Sequence, residues 1–110
     1  MLARANRLTT ASDYRTTIRR GRRIVGTLFI VSALRGSTGP ARFGFVIGRK
    51  VGNAPERNRL RRQLKAVSYS MLGEVPAGSS IVVRALPGSA GADWQSIDAE
   101  FRSAVTKAGM

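Results

Sequence analysis

The chain has 110 residues, enough for one domain that buries about two thirds of its unfolded surface and too few for two independent cores. It contains no cysteine and no histidine, which excludes a disulfide framework, a thiolate metal site and the commonest general base, and points to a reducing compartment. Nineteen basic against six acidic side chains leave +13, a charge that calls for a polyanionic partner, nucleic acid first.

No apolar run approaches the roughly 20 residues needed to span a bilayer, and "MLARANRLTT" lacks the apolar stretch of a signal peptide. A cytoplasmic protein with no membrane partner is expected. The charge is unevenly placed: residues 1 to 65 hold sixteen basic and two acidic groups, net +14, and the last 45 residues net −1.

In chain order, "TTASDYRTTIRRG" predicts a short helix. Thr10 is placed to cap it, Asp13 to return the hydrogen bond, and Gly21 to supply a left-handed stop. Tyr14 and Ile18, four apart, share one face. The β-branched and aromatic run Ile24 to Leu34 predicts one strand, and "RGSTGPA" a turn. In "RFGFVIGRK" Phe43, Phe45 and Ile47 alternate with Gly44, Val46 and Gly48, which predicts a second strand paired with the first as a hairpin. Its small face lets another element, or a nucleic-acid backbone, approach closely.

The next helix is the chemically distinctive one. Asn53 is the expected cap and Pro55 falls in the first turn, where its missing N–H does no harm. At 100° per residue, Leu60, Leu64, Val67 and Met71 fall within about 60° of one another and form a core seam. Arg57, Asn58, Arg59, Arg61, Arg62 and Lys65 sweep roughly 200° of the other side. Like charges four residues apart weaken an isolated helix by a few tenths of a kcal/mol each, so a partner outside the chain is expected to compensate. Residues 73–79 predict a loop, "SSIVVRAL" a strand and "PGSAGA" a loop. Asp93 then caps a last helix with Trp94, Ile97, Phe101 and Ala104 inward. The order αββαβα implies a single-domain α+β sandwich with a mixed sheet.

A protein ribonuclease needs histidines, paired carboxylates or carboxylates that hold metal ions. The six carboxylates, Asp13, Glu56, Glu74, Asp93, Asp98 and Glu100, form no such pattern, so no catalytic residue and no protein-borne metal is expected. Binding is another matter. Sixteen of the nineteen cations are arginine, whose planar fork suits phosphate and stacks on bases.

The string "KVGNAPERNRLRRQLK", read with "RFGFVIGRK" before it, resembles the signature of the bacterial ribonuclease P protein subunit, a glycine-rich strand leading into a basic helix with Arg-Asn-Arg. The similarity extends over nearly the whole chain, through "NRL", "SDYRTTIRRG", the strand with Phe29, "SSIVVRAL" and the closing amphipathic helix. It implies a subunit that binds a catalytic RNA and the 5′ leader of precursor tRNA, while the RNA cuts the leader away with bound Mg²⁺. By the same resemblance Lys50, Asn53, Arg57, Asn58, Arg59, Arg61, Arg62 and Lys65 would meet the catalytic RNA. A cleft between the first helix and the sheet would take the leader. Tyr14, Arg15, Phe29, Phe43 and Phe45 are its candidate residues, the phenylalanines being open to a core reading as well. Ile18 stands where an aromatic is often found, and Ser32 where some relatives carry tyrosine.

The family fold also implies a left-handed β-α-β crossover, as in ribosomal and translation-factor domains. The alternative function is accordingly a structural RNA-binding protein of the ribosome. A membrane-surface role is disfavoured because the leucine seam is narrow and needed for the core. No obligate protein partner is expected.

Overall fold

The computed structural model describes residues 2–110, and its elements run α1 (Ala11–Arg20), β1 (Arg22–Val25), β2 (Phe29–Leu34), β3 (Arg42–Val46), α2 (Ala54–Ser70), β4 (Ser80–Ala85) and α3 (Trp94–Lys107). Short 3-10 turns sit at Arg4–Asn6, Arg49–Val51 and Ser89–Gly91. The run expected as one strand is two. Gly26 to Leu28 turn the chain back, so that β1 and β2 pair antiparallel. A distant side chain fixes that turn: the Glu100 carboxylate accepts the backbone N–H groups of Thr27, Leu28 and Phe29 at 3.2, 2.8 and 2.8 Å. A Cβ on Gly26 would lie 2.6 Å from the same carboxylate, so any larger residue there would displace it.

The hairpin expected between β2 and β3 is also corrected. The sheet order is β1-β2-β4-β3, with β4 antiparallel to β2 and parallel to β3. The glycine and proline segment after β2 passes over the end of β4 instead of folding back tightly. Its Ser37 donates to the Gly78 carbonyl at 3.1 Å, Gly78 donates to Gly39, and Arg42 to Ser79. Gly36, Gly39 and Gly78 all take positive φ there, which explains the glycines. The parallel β3–β4 pair then requires a crossover, and α2 supplies it.

Phe29, Val31 and Ala33 of β2, Phe43 of β3, and Ile81, Val83 and Ala85 of β4 point to one face, and α2 and α3 cover it. The seam Leu60, Leu64, Val67 and Met71 is buried, as expected, and Phe43 meets Phe101 edge to face with ring centres 6.3 Å apart. Trp94 is not in the core and is 45% exposed. It is the first residue of α3, and side chains there tilt back past the helix start, beyond the packed surface that begins at Ile97.

Two details of α1 differ from expectation. Thr10 does accept from the Asp13 N–H, but the Asp13 carboxylate pairs with Arg42 at 3.0 Å rather than returning the bond. Gly21 has φ −72°, not a left-handed value. Its need for glycine is proximity, because a Cβ would press on the carbonyl oxygens of Thr17 and Ala33.

Candidate nucleic-acid interface

The helix α2 begins on a complete capping box. The Asn53 side chain accepts the Glu56 N–H at 2.9 Å, and the Glu56 carboxylate accepts the Asn53 N–H at 2.8 Å. The one acidic residue of the helix is thereby held at its start, where it complements the helix dipole and neutralises none of the arginines beyond. Asn58, Arg59 and Arg62 are exposed, and Arg57, Arg61 and Lys65 are half-buried around the same arc. Arg57 donates to the Gly52 carbonyl and Arg61 to Asn58, each at 3.3 Å. Lys50 is exposed in the turn just ahead of the helix, and the oxygen of Asn53 is occupied by the cap.

Among the described residues, only Arg42 and Arg102 of the nineteen cations pair with a carboxylate. All six carboxylates have structural duties. Asp13 holds Arg42, Glu56 closes the capping box, and Glu100 holds the β1–β2 turn. Glu74 and Asp98 share Arg102, at 2.9 and 3.0 Å. The hydrogen bond that Arg102 donates to Asp98 is the main cause that pushes its guanidinium above its ordinary range. Asp93 caps α3 by accepting the Ser96 N–H at 2.8 Å, and that bond is the main reason its carboxyl titrates below the usual carboxylate range. No group of three or more acidic side chains that could hold a metal ion occurs among the described residues.

The second cationic surface is the sheet face opposite the core. Along it, the strand pairings set two rows, Arg23–Ser32–Val82–Gly44 and Val25–Ile30–Arg84–Val46. Helix α1 lies across one end of this face, with Thr17 buried against it. Tyr14 lies flat on Gly44, where any Cβ would meet the ring at 2.6 Å. Its hydroxyl accepts the Phe45 N–H at 3.2 Å, and Leu8 donates to the Phe43 carbonyl at 2.8 Å, so the outer edge of β3 is covered. The close approach expected on the small face of β3 is thus made by α1 itself. The second row stays bare, with Val25, Val46 and Arg84 exposed.

The expected leader residues separate accordingly. Phe29 and Phe43 are each 1% exposed and packed in the core, and Phe43 also borders the groove at the β3 edge. Strand alternation puts them on the helix-covered face. Phe45 is half-buried on that same face and, with Tyr14, Arg7, Arg61 and Lys65, lines a shallow groove at the β3 edge. Arg15 lies about 200° around α1 from the buried Thr17, beside Arg19 on the outer side. Ile18, 47% exposed, overhangs a pocket lined by Arg23, Ile30, Ser32, Val82 and Arg84. The expectation omitted Arg23, Ile30, Val82 and Arg84. Their signal was present: an arginine inside the apolar strand "SSIVVRAL" marks the face that is not core. No helix among the described residues is long and apolar enough to cross a membrane.

A family model described as Ribonuclease P matches residues 2–109. The chain is 53% identical to a ribonuclease P protein component of Clavibacter michiganensis, over 98% of this chain and 96% of that one. It is 42% identical to one of Kocuria rhizophila with the same two coverages. The solved ribonuclease P protein of Staphylococcus aureus has a similar fold, with a TM-score of 0.83, 19% identity and 96% of each chain covered.

Proposed function

The chain belongs to the ribonuclease P protein family, and on that premise we propose that it binds the catalytic RNA of the holoenzyme through α2 and the 5′ leader of precursor tRNA through the open sheet face. The observation that carries the reading is the outer arc of α2. Five arginines and lysines lie there without a carboxylate partner on a helix whose other side is fully used by the core. Such an arc attracts phosphate at any sequence, because the contact is with the backbone charge.

The open face supports a different contact. It sets apolar side chains, Ile18, Ile30 and Val82, between Arg23 and Arg84, a mixture that accepts an unpaired base together with its phosphates. A leader is single-stranded and offers such bases, whereas mature tRNA has none at that end. Tyr14, half-buried, contributes as the support of this face, packed on Gly44 and bonded to Phe45.

The chemical step is assigned to the RNA. Each carboxylate of the chain already has a structural partner, and the two that come near each other, Glu74 and Asp98, share Arg102. This donor set does not fit a tightly bound Mg²⁺, which supports leaving that ion to the RNA subunit. The test is to add the purified chain to the organism's catalytic RNA and precursor tRNA at low Mg²⁺. Faster cleavage is expected, with none by the protein alone; unchanged cleavage would favour a structural protein of the ribosome instead.

A further inference from the structure

Among the described residues the aromatic side chains most open to solvent are Tyr69, 55% exposed, and Trp94. Neither belongs to the core or to the apolar side chains packed against it. Trp94 stands next to Asp93, whose carboxylate caps α3 and repels phosphate. Tyr69 has the opposite setting. At 100° per residue it lies within about 40° of Asn58, Arg62 and Lys65, and about 140° to 180° from the buried Leu60, Leu64 and Val67. It therefore stands on the crest of the outer arc of α2, one turn past the last cation.

An aromatic residue ranks below alanine and lysine in a helix, which restricts its χ1, so an exposed ring here does not serve α2 itself. Its backbone is nevertheless firmly held. Ser68 donates to the Leu64 carbonyl at 2.8 Å, and Ser70 donates to the Val67 carbonyl at 2.7 Å and accepts from Arg102 at 2.6 Å. We propose that Tyr69 stacks on one unpaired base of the catalytic RNA, next to the phosphates that Arg62 and Lys65 hold. A phosphate contact is available on any strand, paired or not, whereas a ring stacks only on a base whose face is free. The cations thus supply attraction, and Tyr69 supplies a preference for an unpaired segment over a duplex. The stack favours no particular base, since every base has a π-face. The inference rests on the reading of α2 as the surface for the catalytic RNA and adds a base contact to it.

The experiment measures binding of the chain and its variants to the organism's catalytic RNA and to a continuous RNA duplex, each over a series of salt concentrations. Tyr69→Ala should bind the catalytic RNA about tenfold more weakly, within the worth of one base stack, and the duplex as tightly as the unaltered chain does. Tyr69→Phe keeps the ring and should bind both as the unaltered chain does. Tyr69→Leu, apolar but without a π-face, should match Tyr69→Ala. The slope of log affinity against log salt should stay the same in all three, because no phosphate contact is lost, whereas Arg62→Ala should lower it by roughly 0.7 to 0.9. All variants are first checked by melting, and Tyr69→Leu keeps the test open if Tyr69→Ala does not fold. If Tyr69→Ala and Tyr69→Leu bind the catalytic RNA as tightly as the unaltered chain, the base contact is overturned, and the α2 reading stands provided Arg62→Ala still weakens binding. If Arg62→Ala has no effect either, both readings fail. An equal loss on duplex and catalytic RNA, or a loss in Tyr69→Phe as large as in Tyr69→Ala, overturns the stack.

Discussion

The outer arc of α2 and the open face of the sheet are both cationic, and they differ in what lies between the charges. On α2 the arginines follow one another around a helix, with only Asn58 among them and all apolar residues turned inward. On the sheet, Arg23 and Arg84 are separated by Ile30, Ser32 and Val82, which all face away from the core because their strand neighbours Phe29, Val31, Ile81 and Val83 take the core side. The lesson is one of periodicity. A helix segregates its polar and apolar side chains into stripes and suits a uniform polyanion, whereas an uncovered sheet face intermixes them and suits a ligand that is part charge and part ring.

The largest expected effect tests the α2 side of that contrast. If six to ten phosphates are neutralised, affinity for the catalytic RNA should fall by about 10³ to 10⁵ between 50 and 200 mM salt. Discrimination between precursor and mature tRNA should change far less over the same range. A flat salt response would break the comparison at its first term.

Next, Arg59→Ala or Arg62→Ala should weaken assembly with the catalytic RNA by about 1.5 to 3 kcal/mol, the scale of a charge-assisted hydrogen bond. Both side chains are exposed and unpaired, so the melting temperature should not fall. Equal losses of RNA affinity and stability would mean that the arc belongs to the fold.

Glu100→Gln acts on the other surface. It removes the charge that three backbone N–H groups of the β1–β2 turn converge on, and should cost roughly 1.5 kcal/mol of stability by denaturant titration. Because that turn carries Val25 and adjoins Arg23, precursor discrimination should suffer while assembly with the catalytic RNA does not. The smallest effect is that of Tyr14→Phe, which leaves the Phe45 N–H without its partner and should cost about 1 kcal/mol of stability. The Phe ring still covers Gly44, so leader binding should persist.

These two surfaces were unequally legible in the sequence. The α2 stripe follows from local rules, since Asn53, Pro55 and the leucine seam each announce their place within a few residues, and all were found there, while Glu56, to which no role was given, closes the cap. The sheet face depends on long-range pairing. A glycine-rich turn between two strand-like runs reads as a hairpin, and nothing within Arg35–Ala41 reveals that β4 will insert between β2 and β3. Without that insertion, Ile30, Ser32, Val82 and Arg84 are not neighbours. The phenylalanines drew attention because aromatics stack on bases, yet Phe29 and Phe43 were needed more by the core. Trp94 was read inward from its spacing to Ile97, and only its place at the helix start put it outside. Glu100 was given no role because its partners are backbone groups more than seventy residues away.

The division of labour between the two surfaces is tested most directly by the ratio of holoenzyme affinities for precursor and mature tRNA in Arg84→Ala. This side chain is exposed, makes no ion pair, and lies between the two hollows of the open face, so its loss should leave the fold and the assembly with catalytic RNA intact. The ratio should fall by about tenfold, the worth of one charge-assisted contact, through weaker precursor binding alone. An unchanged ratio, or an equal loss for precursor and mature tRNA, would contradict the account and leave α2 as the protein's single RNA surface.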